Sequence, residues 1–129
     1  TFHPEVENNP LEIIKLIKKE NVKAGIALHP KINILEYEEL FTLVDQIIVM
    51  TVTPGFGGQK FIESQVKKIE DLYNLRKTKN YKFKISADGG INEISGKKCI
   101  KSGVDILAVG SFLLSKPETE FDKIIDSFK

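Results

Sequence analysis

Nineteen basic and eighteen acidic side chains nearly cancel across the 129 residues, which removes any global electrostatic case for a nucleic-acid or membrane partner. Apolar residues at 41% and charged residues at 29% exclude a disordered chain and fit one globular domain over residues 1–129. The lone Cys99 excludes an intrachain disulfide and a cysteine-based zinc cluster, and it suits a reducing, cytoplasmic setting.

The opening residues Thr1-Phe2-His3-Pro4 form neither a basic leader nor an apolar signal region. No initiator Met is present, so the native start is expected upstream. Thr1 to His3 read as the tail of a strand. Asn9-Pro10 then announces a helix, Asn at the cap and Pro at the first helical position. Leu11, Ile14 and Ile17 share its apolar face, opposite Lys15, Lys18 and Lys19. A strand is predicted over 23–28, closed by His29-Pro30, and a short helix over 34–43.

The run 46–52 is almost wholly apolar, the pattern of a strand buried on both faces. Its apolar core, Ile47 to Met50, is far short of the ~20 residues that cross a bilayer. Past the glycine loop at 54–58, a helix near 63–77 turns Val66, Ile69, Leu72 and Tyr73 inward. A strand at 83–87 ends in Asp88-Gly89-Gly90. A helix near 93–102 stops at Gly103, a strand at 106–109 runs into Gly110-Ser111, and a last helix covers 118–128. Lysines on these helices read as a solvated outer ring.

Five β-α units in succession argue a parallel sheet with helical crossovers. Three successive strands each end in a glycine-bearing turn, which favours a barrel, because barrel enzymes gather their chemistry and hold phosphate at that rim. Three glycines within Gly55-Phe56-Gly57-Gly58 let backbone N–H groups approach an anion, although a merely flexible loop reads the same way. Asp88 sits where a rim carboxylate would, and a solvated turn aspartate is the plainer alternative. Read alone, Met50 is core packing, and His3 is a hydrogen-bonded structural histidine.

The fifteen-residue string Ile47-Ile48-Val49-Met50-Thr51-Val52-Thr53-Pro54-Gly55-Phe56-Gly57-Gly58-Gln59-Lys60-Phe61 resembles the strand-six signature of ribulose-phosphate 3-epimerases. Thr1-Phe2-His3-x-Glu5 resembles the end of that family's fourth strand and Gly25-Ile26-Ala27-Leu28 its fifth. Asp88-Gly89-Gly90-Ile91 resembles its seventh, and Gly103-Val104-Asp105 with Gly110-Ser111 its eighth. The resemblance implies the C-terminal part of a (β/α)8 TIM barrel, of which this chain supplies about five βα units. It implies interconversion of D-ribulose 5-phosphate and D-xylulose 5-phosphate through an enediolate, a cytosolic step of the pentose phosphate pathway.

By the same resemblance Asp88 is one member of the acid–base pair and a ligand of one divalent metal, Zn, Fe, Mn or Co. Gly55, Phe56, Gly57, Gly58, Gly89, Gly90, Gly110 and Ser111 would hold the substrate, with Met50 lining the site. The partner aspartate and the metal-binding histidines belong to strands this sequence lacks. A small sugar phosphate is the implied partner, with no nucleic acid or membrane, in a homo-oligomer.

His29 departs from the Lys or Asn usual before that proline and is not read as a ligand. Glu5 has no assigned role, and Lys60 adjoins the loop with its orientation open. Lys97, Lys98 and Lys101 would lower the pKa of Cys99, whereas burial would silence it. An IMP dehydrogenase-type barrel shares Ala87-Asp88-Gly89-Gly90-Ile91 but needs a loop cysteine, and Cys99 falls on a predicted helix. Allulose-phosphate 3-epimerase shares nearly every motif. The non-enzymatic reading is an inactive partial barrel or phosphate-binding module with two exposed apolar edges. No dinucleotide fingerprint occurs.

Overall fold

The computed structural model describes all residues from Thr1 to Lys129. The chain runs through helix α1 (Pro10–Lys19), strand β1 (Gly25–Leu28), a 3-10 segment (Ile34–Leu40) and β2 (Gln46–Met50). Helix α2 (Gln65–Lys79), β3 (Lys84–Asp88), α3 (Glu93–Lys101) and β4 (Ile106–Ala108) follow, then α4 (Ser111–Leu114) and α5 (Phe121–Asp126). The strands pair in chain order β1-β2-β3-β4, all parallel. The architecture is α/β, with four parallel strands alternating with helices.

Five strands were expected and four form. Phe2 makes only an isolated parallel bridge to Ile26, because Pro4 starts a 3-10 turn at once and ends the extended run. The sheet is therefore open, and β4 is an edge strand rather than a member of a closed barrel.

Helix boundaries follow from their caps. Asn9 accepts from the Glu12 N–H at 3.3 Å and Pro10 opens α1, as the dipeptide predicts. Ile14 is buried, but Leu11 is 37% exposed and lies off the core. The predicted helix at 34–43 is a shorter 3-10 segment broken at Tyr37, started by a reciprocal Asn33–Glu36 capping box. Helix α2 runs two residues later than expected and ends at Asn80 in the left-handed region. The final helix splits at Phe121 into a 3-10 turn and a short α-helix.

The largest departure concerns the faces of the sheet. Ile47 and Val49 are fully buried, whereas Gln46, Ile48 and Met50 are only half-buried, so β2 is covered on one face and not on both. Ile26, Leu28, Ile85 and Ala87 share the buried face and meet Ile14, Ile69, Leu72 and Cys99 in one core cluster. Each Ile or Leu among them contributes about 1.5–3 kcal/mol by leaving water. By register, Lys84, Ser86, Asp88, Ile106 and Ala108 continue the other face from Gln46, Ile48 and Met50. On that face Ser86 is buried beside Gln46, whose amide donates to its hydroxyl at 2.5 Å, whereas Ile106 at the sheet edge stays 45% exposed.

Candidate active site

The strand register brings the first site residues together. Met50 lies beside Asp88, and Asp88 beside Ala108, so three side chains line up across the C-terminal ends of β2, β3 and β4. Asp88 is thus the last residue of its strand and not the first of a turn, which fixes its backbone by ladder hydrogen bonds. Its carboxylate makes no ion pair or hydrogen bond with the protein and lines a cavity of about 430 Å³.

That cavity gathers every residue that the resemblance assigns to the site: Met50, the loop Gly55, Phe56, Gly57 and Gly58, the turn Asp88, Gly89 and Gly90, and Gly110 with Ser111. Val52, Pro54, Gln59, Ile91 and Ala108 complete the lining. Asp88 is the single ionisable group among these residues. An anion bound here would be held by backbone N–H groups and hydroxyls, since no Lys, Arg or His faces it. Lys60 is exposed beside the loop and does not line the cavity.

Side chains that the sequence reading passed over shape the loop. Thr51 leaves the strand fully buried, and its carbonyl accepts from the Ile62 N–H at 2.7 Å, closing the loop at its base. Gln59 donates its amide to the carbonyls of Thr53 at 2.5 Å and Phe56 at 2.9 Å, bracing the loop from inside. Both stand within the quoted fifteen-residue string, so the signal was present there, hidden behind the glycines. Phe56 projects from the tip, 76% exposed.

The glycines divide into two kinds. Around Gly55, Gly57, Gly58 and Gly110 a side chain would meet open space within 4 Å. Gly89, at φ +119°, instead abuts Val52, where an added Cβ would come within 2.4 Å of Cγ2. Gly90, at φ +62°, abuts the backbone of Phe61, with 2.7 Å left to its nitrogen. Packing between neighbouring turns therefore accounts for glycine at 89 and 90, whatever they bind. The Ser95 hydroxyl, from the first turn of α3, donates to the Gly90 carbonyl at 3.2 Å and anchors the turn from the other side.

Other residues weighed in the sequence lie outside the cavity, and His3 Nδ1 is buried there without a hydrogen-bond partner. His3 Nδ1 stands 3.3 Å from Glu5 Oε1, and neither residue lines the site. His29 Nδ1 accepts from the Lys31 N–H at 3.2 Å within its own turn. Cys99 is fully buried on α3, and burial pushes its thiol up to about 11 with a contribution from Glu63, so it is no activated nucleophile. The lysines of α3 do not reverse this. A further cleft, about 510 Å³ between α3, β4 and α5, is lined by seven apolar residues and Asp105 and has no acid–base pair.

No three His, Cys, Asp or Glu side chains approach closely enough to hold a metal ion. The residues present do not make the divalent site that the resemblance implies, and Asp88 offers one donor only. No helix is long and apolar enough to cross a membrane.

The family model described as "Ribulose-phosphate 3 epimerase family" matches residues 1–114. Among curated relatives, a ribulose-phosphate 3-epimerase of Buchnera aphidicola is 36% identical over 129 residues, all of this chain and 56% of its own length. That of Treponema pallidum is 36% identical over 115 residues, covering 89% of this chain and 53% of the relative. That of Bacillus subtilis is 40% identical over 112 residues, covering 86% and 52%. The chain thus spans about half the length of the curated relatives it matches.

Proposed function

The chain belongs to the ribulose-phosphate 3-epimerase family, and from that premise we propose that its cavity takes a ketose 5-phosphate. In this reading the protein epimerises D-ribulose 5-phosphate and D-xylulose 5-phosphate, and these residues form the second half of the barrel. The observation that carries the proposal is the single unpartnered carboxylate of Asp88, in register with Met50 and sharing one cavity with three glycine-bearing turns.

Asp88 takes the proton from the carbon next to the ketone, and the electron pair passes into a planar enediolate. Inversion requires the proton to return from the opposite face, hence from a second group. Met50 presents a soft apolar surface beside the plane. Amides of the 55–58 loop and the hydroxyl and amide of Ser111 hold the phosphate at a distance from the carboxylate, so that the two negative charges do not meet. Of the residues lining this cavity, Asp88 alone would ligate a divalent ion.

A second reading has its own support. Asp88 is alone among the cavity's lining residues in being ionisable, and one carboxylate cannot serve both faces of a stereocentre. These 129 residues by themselves then bind a sugar phosphate without turning it over.

The test is a titration of the ¹⁵N-labelled chain with xylulose 5-phosphate, beside an epimerisation assay. Amide shifts should concentrate at Gly55 to Gly58, Gly89, Gly90, Gly110 and Ser111. Shifts confined to other residues, or none at millimolar ligand, sink the proposal. Competition with allulose 6-phosphate separates the two sugar specificities, and binding without turnover selects the second reading.

A further inference from the structure

We infer that Thr51 is a positioning residue that acts through Asp88, an inference resting on the reading of Asp88 as the acid–base group. Thr51 is fully buried at the end of β2. Its N–H donates to the Asp88 carbonyl at 2.8 Å, and its hydroxyl donates to the Gly89 carbonyl at 2.6 Å. One residue therefore pins the peptide on each side of Gly89. Glycine there is free to rotate, because φ +119° lies where side-chain-bearing residues are strained and glycine is not. With both flanking peptides held, the direction in which the Asp88 side chain leaves the backbone is set relative to the Gly90 N–H before a substrate arrives.

The chemistry singles out the hydroxyl. Any residue but proline would supply the backbone bonds to Asp88 and from Ile62, whereas only a side chain with a short donor reaches the Gly89 carbonyl. Removing that donor leaves a part-buried carbonyl without its partner, and the turn relaxes to find another. The carboxylate moves with it. Displacements on the order of 1 Å at a reacting group cost about 10²-fold in rate. Thr51 also joins the two turns of the site, since its carbonyl receives the Ile62 N–H that closes the glycine loop.

The test compares Thr51→Val, which keeps the shape and loses the donor, with Thr51→Ser, which keeps the donor. In the 129-residue chain, three-bond couplings from the Asp88 backbone to its Cγ report the χ1 rotamer without requiring turnover. One rotamer is expected in the parent and in Thr51→Ser, and averaging in Thr51→Val. In the full chain, kcat should fall about 10- to 100-fold in Thr51→Val while KM changes less than about threefold, with recovery in Thr51→Ser. Should Thr51→Val not fold, Thr51→Ala takes its place. Unchanged couplings in the donor-less variant, or a serine variant no better than valine, overturn the inference. Full turnover in Asp88→Asn sinks the reading of Asp88 instead, and the couplings still decide whether Thr51 positions the carboxylate.

Discussion

At the N-terminal end of the sheet two aspartates are occupied by the fold, whereas Asp88 at the C-terminal end has no partner. Asp45, just before β2, accepts from the Ala24 N–H at 2.9 Å and pairs with Lys18 at 3.2 Å. Asp105, just before β4, accepts from the Ile85 N–H at 2.7 Å and from the Arg76 guanidinium. Each carboxylate thus satisfies an amide at the start of a neighbouring strand, Ala24 just before β1 and Ile85 second in β3. The Ala24 N–H is the main cause holding Asp45 below its ordinary 3.8. Burial raises Asp105, but the Arg76 and Ile85 donors outweigh it and its pKa also ends below 3.8. The same residue type stabilises at one end and is left available at the other, the division of labour expected between the two rims of a parallel βα fold.

The strongest way to break this contrast is Asp88→Asn. On the proposed function, epimerisation should fall by about 10³-fold, while urea unfolding of the variant should stay within about 0.5 kcal/mol of the parent, because no protein partner is lost. A large stability change would mean that Asp88 belongs with the structural aspartates. Gly89→Ala attacks the site through its packing. The positive φ and the approach to Val52 predict a loss of about 3 kcal/mol in urea unfolding.

Asp105→Ala makes the opposite cut. Losing the acceptor for Ile85 and Arg76 should cost about 2 kcal/mol, with ligand-induced amide shifts at residues 55–58 unchanged. The sign with pH follows from the depressed pKa values. Asp45 and Asp105 contribute fully above their ordinary value of 3.8, and the contribution is lost as pH falls below it. An acid titration followed by circular dichroism should show Asp105→Ala losing less stability over that range than the parent. The smallest effect is expected at Gly57, where an added methyl meets open space. Gly57→Ala should change stability by less than about 0.5 kcal/mol, so any weakening of xylulose 5-phosphate binding there reports on the ligand alone.

Much of the site was legible because its residues crowd into short strings. Met50 through Gly58 and Asp88 through Gly90 are contiguous, and parallel pairing in chain order carries them to the same end of the sheet. Thr51 and Gln59 were harder to read, because their work is a hydrogen bond to a carbonyl 38 residues away and a bond within a folded loop. Cys99 had two readings in the sequence, a thiol activated by three nearby lysines and a buried bystander, and burial in the core decides for the second.

Alternation of apolar blocks with helical periods, the Asn9-Pro10 start and the glycine turns determined the order of strands and helices, since each depends on neighbours a few residues apart. What covers each face of a strand is a long-range matter. The apolar run 46–52 reads as buried on both sides, yet only the tertiary structure shows that Ile47 and Val49 meet helices while Ile48 and Met50 look onto an open face. Side chains on opposite faces of one strand carry the same local signal, and packing partners far along the chain decide which of them is shielded from water.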